Sequence, residues 1–174
     1  MLSTLITNKT RIKLLVKFFL NPGTRSYLRS LATEFNESTN AIRLELNKFE
    51  EANLLSAETD GNKKYYRANS THPMYENIHR LVTQHLGIDI IIDKLVSKLG
   101  NLDRVFLTGE LARGIESKIV DLIIVGDEIN REFLAELAGK VENIMDQKIR
   151  YLVYDTAEFV TEEHEQPLLL VWEN

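Results

Sequence analysis

The 174-residue sequence predicts an α+β protein of two domains, and three observations lead to that fold class. The first part has apolar residues at helical spacing, followed by two short strand-like runs around a turn. Beyond Gly100, strand-like and helical segments alternate, which is typical of a small mixed sheet. Charge also changes along the chain, since residues 1–73 hold 11 Lys and Arg against 7 Asp and Glu, whereas residues 74–174 hold 10 against 19. We therefore predict domains over residues 1–73 and 101–174, joined by helices over residues 74–100.

Three helices are predicted in the first domain. Apolar residues recur three and four positions apart over Thr10–Leu20 and again from Leu28 to Phe35. Asn21-Pro22-Gly23 ends the first helix, because proline disfavours helix at the residue before it. Ser38 or Thr39 is a natural N-cap for a third helix. The predicted core positions of that helix are Ile42, Leu46 and Phe49.

A hairpin is predicted directly after these helices. Leu55–Glu58 and Lys63–Ala68 are strand-like, and Asp60-Gly61-Asn62 has the residue types of a tight turn between them. Two short helices across a turn, with a third helix before them and a hairpin behind, form a winged helix-turn-helix. Cations at the hairpin tip are placed where a wing reaches phosphates.

The run LRSLATEFNESTNAIRLELNKFEEANLLSAETDGNKKYYRANSTHPMY resembles the winged-helix domain of bacterial regulators of the ArsR-like and MarR-like class. The resemblance covers roughly residues 10–75. It implies a transcriptional regulator that binds double-stranded DNA as a homodimer.

The outward positions at the start of the third helix have the residue types that read DNA bases. Arginine bonds to O6 and N7 of guanine, and asparagine bonds to N6 and N7 of adenine. The predicted DNA-binding residues of the third helix and hairpin are Ser38, Thr39, Asn40, Arg43, Asn47, Lys63, Lys64 and Arg67. Three nearby carboxylates, Glu45, Glu50 and Glu51, are expected to point sideways or away from the phosphate-facing surface. The alternatives are that Asn40 and Arg43 are ordinary surface residues and that the charge segregation arose by chance.

Two amphipathic helices are predicted between the domains, over Met74–Leu86 and from Ile88 to Leu99, with Gly87 between them. Their apolar stripes are candidates for dimer contacts. The alternative is that these stripes pack within the chain.

The second domain is predicted to contain strands Arg104–Leu107, Asp121–Val125, Lys148–Tyr154 and Leu168–Trp172. A helix over Asn130–Met145 would be capped by Asn130. Its predicted buried stripe consists of Phe133, Leu137, Val141 and Ile144. Thr156 is expected to cap a further short helix that continues through His164.

Three segments of this half are similar to the minimal nucleotidyltransferase domain of the polymerase-beta superfamily. They are Phe106-x-x-Gly109, Ala112-Arg113-Gly114 and Asp121-Leu122-Ile123-Ile124-Val125-Gly126-Asp127, within a resemblance that covers residues 88–170. The resemblance implies a Gly-Ser pair that contacts phosphate, and three carboxylates on two strands that bind two divalent metal ions.

The departures from this pattern predict a degenerate domain without catalytic activity, metal or cofactor. Glu110 stands in place of the serine, and isoleucine replaces one aspartate, at Ile119 or Ile123 depending on the alignment. The strand IRYLVY offers no third carboxylate, although two-metal chemistry needs several oxygen ligands. The predicted degenerate nucleotide pocket consists of Gly109, Glu110, Arg113, Gly114 and Asp121.

Three hypotheses describe the role of this pocket: an effector site, a purely structural role and an active enzyme. Glu110, Glu116 and Asp121 would make its mouth acidic and suited to a basic or neutral protein or small-molecule effector. In the second hypothesis the domain only stabilises a dimer, and Asp121 is an ordinary strand-end residue. The competing enzyme would be an active minimal nucleotidyltransferase that modifies a protein, such as a toxin partner, or a small molecule.

Composition and residue spacing exclude several kinds of site and segment. The chain has no cysteine, which excludes disulfides and thiolate metal sites and fits a cytoplasmic location. The N-terminal segment is interrupted by lysines and arginine, so we expect neither a signal peptide nor a membrane span. The four histidines do not have metal-ligand spacing, and no catalytic triad or glycine-rich phosphate loop is visible.

Overall fold

The computed structural model describes residues 2–99, 101–145, 147–161 and 164–174. The chain divides into two compact units, which we call the N-terminal unit (residues 1–85) and the C-terminal unit (residues 86–174). Helices and two small sheets give the mixed architecture of the α+β class. In the described ranges, no helix is both long and apolar enough to cross a bilayer. The domain boundaries at residues 73 and 100 stay a prediction.

The N-terminal unit contains α1 (Leu2–Leu5), α2 (Lys9–Phe19), β1 (Ser26–Tyr27), α3 (Leu28–Phe35), α4 (Thr39–Glu51), β2 (Leu55–Asp60), β3 (Lys63–Ala68) and α5 (Tyr75–His85). The three strands form an antiparallel sheet in the order β1-β3-β2. All three predicted helices and the hairpin are confirmed. The short elements α1 and β1 were not predicted, because four and two residues are too few to show a periodic pattern.

Local interactions set the boundaries of α3 and α4. Asn36 ends α3 in the left-handed conformation with φ of 52°, which asparagine tolerates better than most residues. The Ser38 hydroxyl oxygen accepts a hydrogen bond from the amide of Ala41 at 3.2 Å, so Ser38 is the N-cap of α4 and Thr39 is its first residue. This capped turn places the start of α4 at the protein surface.

The helices of the N-terminal unit pack on a shared apolar core. Phe18, Phe19, Leu31, Ile42 and Leu46 have essentially no solvent exposure. Burying side chains of this size contributes about 1.5–3 kcal/mol each before the entropy cost of ordering them. The predicted inward stripe of α4 is therefore confirmed, and it determines which residues of α4 face outward.

The C-terminal unit contains α6 (Ile88–Val96), β4 (Leu102–Thr108), α7 (Gly109–Ala112), β5 (Ile119–Gly126), α8 (Arg131–Met145), β6 (Lys148–Tyr154) and β7 (Leu169–Glu173). Its sheet has the order β6-β5-β4-β7. Strands β5 and β6 are parallel, whereas β4 pairs antiparallel with both β5 and β7. The predicted small mixed sheet is confirmed.

The buried stripe of α8 differs from the prediction. Leu134, Leu137 and Val141 are buried, whereas Phe133 is only partly buried and Ile144 is 67% exposed. Asn130 caps the helix as predicted, because its side-chain oxygen accepts a hydrogen bond from the Phe133 amide at 3.0 Å. The sheet meets the side of α8 that contains Leu134, so Ile144 falls outside the contact.

The predicted helix from Thr156 through His164 is wrong for residues 156–160. Residues 156–158 form a turn instead, and residues 162–163 lie outside the described ranges. Thr156 does not act as a cap; its amide donates to a carboxylate oxygen of Asp127 at 3.0 Å. The segment is held by packing, since the Phe159 ring lies 5.1 Å from the Phe106 ring in a small apolar cluster.

The apolar stripes predicted as dimer contacts are used partly within each unit. Val82 of α5 is fully buried, and Ile91 and Leu95 of α6 are nearly so. Leu81 and Val96 are each 39% exposed. The buried residues therefore favour packing within the chain, and the exposed residues remain candidates for dimer contacts.

Candidate functional site

A groove with a volume of about 540 Å³ lies in the N-terminal unit between α3, α4 and the β2–β3 hairpin. We call it the basic groove, because four cations from three parts of the sequence line it. Its lining consists of Tyr27, Leu28, Arg29, Arg43, Leu46, Asn47, Asn62, Lys63, Lys64 and Tyr66. The fold thus brings residues more than thirty positions apart to one surface.

Four of the eight predicted DNA-binding residues line the basic groove: Arg43, Asn47, Lys63 and Lys64. Arg43 and Asn47 are exposed on one face of α4, one helical turn apart. The other four are exposed but do not line it: Ser38, Thr39 and Asn40 stand at the start of α4, and Arg67 is on β3.

Arg29 of α3 lines the same groove and was missed by the sequence analysis. It is exposed, and no carboxylate of the described chain is recorded within ion-pair distance of Arg29 or Arg43. The outward side of Leu28–Phe35, read by the same helical periodicity, contains the signal.

Two of the predicted phosphate contacts are already paired with carboxylates. The Lys64 ammonium lies 2.7 Å from a Glu50 oxygen, and this hydrogen bond raises the pKa of Lys64 above its usual value. Arg67 donates to Glu58 at 2.9 Å. A phosphate must compete with these carboxylates for both cations.

Arg25 ties the hairpin to the segment that precedes α3, and it too was missed. Its guanidinium donates to Glu58 at 2.7 Å and to Asp60 at 3.1 Å, and it lies 3.6 Å from the centre of the Tyr65 ring. Hydrogen bonds from Arg25 and Arg67 lower the pKa of Glu58. Sequence periodicity could not reveal Arg25, because it lies in a connecting segment outside both helices.

Glu45 points into the N-terminal unit and links α2 to α4. It is 3% exposed and accepts hydrogen bonds from Arg11 at 2.7 Å and from Lys48 at 2.8 Å. A third hydrogen bond comes from the Asn8 side chain at 3.2 Å. The hydrogen bond from Arg11, followed by that from Lys48, lowers the pKa of Glu45 although burial opposes this. Glu45 therefore orients the helix that carries Arg43.

A second cavity, also of about 540 Å³, opens in the C-terminal unit, and we call it the Asp121 cleft. Its lining consists of Thr108, Gly109, Glu110, Arg113, Ser117, Ile119, Asp121, Arg150 and Gln166. Four residues of the predicted degenerate pocket are thus brought together. The fifth, Gly114, is not in the lining but ends the α7 turn with φ of 70°.

Gly109 permits a close approach of Asp121 to the backbone. Its φ is 66°, and a Cβ atom at this position would lie 2.7 Å from a carboxylate oxygen of Asp121. Both the conformation and the contact favour glycine. Thr108 is the register partner of Asp121 across β4 and β5, which aligns the two elements.

Arg150 binds both oxygens of Asp121, which the sequence analysis did not predict. Its Nε and Nη2 atoms lie 2.6 Å and 2.8 Å from the two oxygens, a bidentate geometry that raises the pKa of Arg150. Asp121 and Arg150 are register partners on the parallel strands β5 and β6. The arginine of the strand IRYLVY is the sequence signal for this pair.

The residues of the Asp121 cleft do not fit a divalent metal ion. Both oxygens of Asp121 are engaged, and Ile119 and Ile123 share its strand face without offering a ligand. No group of three or more His, Asp and Glu residues in the described ranges has metal-binding geometry. The expected acidic mouth is also corrected, because the lining holds Arg113 and Arg150 beside Glu110 and Asp121.

Comparisons with known proteins do not assign a family. No family model matches the chain, and no curated protein does. Among solved structures, AF1382 from Archaeoglobus fulgidus is 20% identical with a TM-score of 0.39, covering 53% of this chain and 98% of that one. Reduced HlyU from Vibrio cholerae is 22% identical with a TM-score of 0.35, covering 46% and 83%. A mutant of the toxin-antitoxin MntA-HpeT is 17% identical with a TM-score of 0.40, covering 49% and 73%. Similarities this low carry no conclusion about function.

Proposed function

We propose that the protein is a DNA-binding transcriptional regulator whose N-terminal unit contacts double-stranded DNA through α4 and the β2–β3 hairpin. The observation that supports this most is the basic groove. It gathers Arg29, Arg43, Lys63 and Lys64 on one surface beside the exposed face of a capped helix. A cluster of this kind is the electrostatic requirement for binding a phosphate backbone.

In the proposed complex, different residues of the groove contact the bases and the phosphates. Arg43 and Asn47 project from the second and third turns of α4, on the outward face that would meet base edges in the major groove. Arg29 and Lys63 flank them on α3 and the hairpin, where they can neutralise phosphates on either side. Lys64 joins the phosphate contacts once it leaves Glu50.

The C-terminal unit, in this proposal, is not an enzyme. A minimal nucleotidyltransferase needs several carboxylates to hold its metal ions, whereas Asp121 is bound by Arg150 and flanked by isoleucines. We propose that this unit serves sensing, docking or dimer stability, with a protein or small molecule as the effector.

Selection from a random duplex DNA library with the full chain tests the proposal. At moderate salt, we expect enrichment of a sequence containing two related half-sites, and a mobility shift with the enriched duplex. The affinity should fall steeply with rising salt, as expected for several phosphate contacts. Absence of enrichment and of any mobility shift would refute the proposed function.

A further inference from the structure

The Asp121 cleft contains a carboxylate that is saturated by a cation of the chain itself. We propose that Arg150 is a built-in counter-cation that occupies, in charge and contact, the place at Asp121 that a divalent metal ion would take. The cleft is thereby closed to metal ions. The inference deepens the proposed non-catalytic role of the C-terminal unit, and it does not depend on DNA binding.

Three elements converge on this carboxylate. Asp121 is on β5, opposite Thr108 in the antiparallel pairing with β4 and opposite Arg150 in the parallel pairing with β6. On one side Gly109 brings the backbone against a carboxylate oxygen. On the other side the guanidinium approaches both oxygens within 2.8 Å. The Asp121 side chain is 19% exposed, so little of it is open to a ligand from solvent.

The neighbouring positions explain why an arginine is favoured over a metal ion here. Ile119 pairs with Lys148, and Ile123 pairs with Leu152, so the adjacent positions on this face of both strands offer no oxygen. A magnesium ion requires about six oxygen ligands in a near-octahedral arrangement. A guanidinium needs only one carboxylate, because its planar fork matches two carboxylate oxygens. Because the adjacent positions on β5 and β6 offer no further carboxylate, the arrangement around Asp121 favours an arginine.

This account predicts how substitutions change metal binding. Arg150→Gln alone frees Asp121 but supplies no second carboxylate, so it should bind Mn²⁺ weakly at best. Combining Ile119→Asp with Arg150→Asp adds one carboxylate on β5 and one on β6, both on the sheet face that holds Asp121, and removes the cation. This combined variant should bind Mn²⁺ at least about tenfold more tightly than the wild-type chain.

The experiment is titration of the full chain with Mn²⁺, with free Mn²⁺ followed by electron paramagnetic resonance. We expect no binding by the wild-type chain at millimolar metal, and binding by the combined variant that is lost when Asp121→Asn is added. Tight binding by the wild-type chain that Asp121→Asn abolishes would overturn the proposal. So would a combined variant that retains the wild-type circular dichroism spectrum and melting temperature but binds no more metal than Arg150→Gln.

A second measurement applies if the combined variant does not fold. The Nε–H proton of Arg150 should exchange slowly with solvent in the wild-type chain, since it donates to Asp121 at 2.6 Å. In Asp121→Asn the exchange should become at least about tenfold faster, because a neutral amide holds the guanidinium less strongly. Equal exchange rates in the two proteins would contradict a saturated carboxylate.

Discussion

If the N-terminal unit binds DNA as proposed, single carboxylates determine which of its cations are available to phosphates. Lys64 and Arg67 are held by Glu50 and Glu58, whereas Arg43 has no carboxylate partner recorded among the described residues. Exposed ion pairs of this kind contribute only about 0–1 kcal/mol each. A phosphate can therefore replace the carboxylate at small cost, so we expect these carboxylates to weaken DNA binding without preventing it.

Replacement of Glu58 by glutamine should tighten DNA binding. The substitution frees Arg25 and Arg67 from one carboxylate, so we expect about a two- to fivefold gain in affinity and a steeper salt dependence. Fluorescence anisotropy at two salt concentrations measures both effects. Glu51→Gln is the matched control, because it removes an exposed charge for which no ion pair is recorded in the described chain. An equal gain in the two variants would show that only net charge matters.

Glu45 should make the N-terminal unit sensitive to acid. Its folded-state pKa is lowered, so its contribution to the free energy of unfolding is complete above the unfolded-state pKa of about 4.3 and is lost as pH falls through the folded-state value. Glu45→Gln should cost about 1–2 kcal/mol at pH 7 and almost nothing at a pH below the folded-state pKa. Urea unfolding at both pH values measures this difference. A cost that does not change with pH would contradict the assigned role.

Residues whose position follows from the periodicity of one helix were predicted, whereas residues whose role depends on contacts between elements were missed. Arg43 and Asn47 were predicted because the inward stripe of α4 determines its outward face. Arg25 and Arg150 were missed because their roles depend on strand register and on side chains far away in sequence. Periodicity specifies a face of one element, but it does not specify which elements meet.

Among the elements, length separates successful predictions from failures. Helices of eight or more residues were found, because the apolar repeat has room to appear, whereas α1 and β1 were not. The stripe predicted for α8 contained Ile144, whereas the structure buries Leu134 instead. Only packing against the sheet decided between Leu134 and Ile144. Residues 156–158 form a turn where a helix was predicted, and the amide of Thr156 donates to Asp127, which is distant in sequence.

A pair of alanine substitutions tests the phase of α8. Leu134 is 1% exposed, so Leu134→Ala should cost about 2–5 kcal/mol through lost burial and the cavity that remains. Ile144 is 67% exposed on the same helix, and Ile144→Ala should change stability by less than about 0.5 kcal/mol. Chemical unfolding of the full chain gives both values. Similar costs for the two would favour the stripe predicted from sequence.

For the whole molecule, the charge distribution and the exposed apolar residues favour a DNA-bound dimer. In the proposed complex the basic N-terminal part would contact the polyanion, and the acidic remainder would be repelled from it. Leu81, Ile90 and Val96 remain between 37% and 39% exposed on α5 and α6. Recognition of two half-sites about one helical turn apart requires a two-fold arrangement of the reading helices.

The full chain should therefore sediment as a dimer. Sedimentation velocity at micromolar concentration, with and without the selected duplex, is the measurement. A dimer that binds one duplex containing two half-sites is the expected result. A monomer under both conditions would contradict this assembly, although it would leave the basic groove intact as a monomeric binding site.

The affinity of Arg43→Ala for the selected duplex tests most directly whether the basic groove reads DNA. Arg80→Ala is the matched control, because Arg80 is also an exposed helical arginine of the N-terminal unit but lies outside the groove lining. Fluorescence anisotropy at fixed salt should show that Arg43→Ala weakens the free energy of DNA binding by about 1–3 kcal/mol. The variant should also show a relaxed preference at one base pair. Arg80→Ala should bind within about twofold of the wild-type chain. Equal affinities for Arg43→Ala and Arg80→Ala would contradict the account.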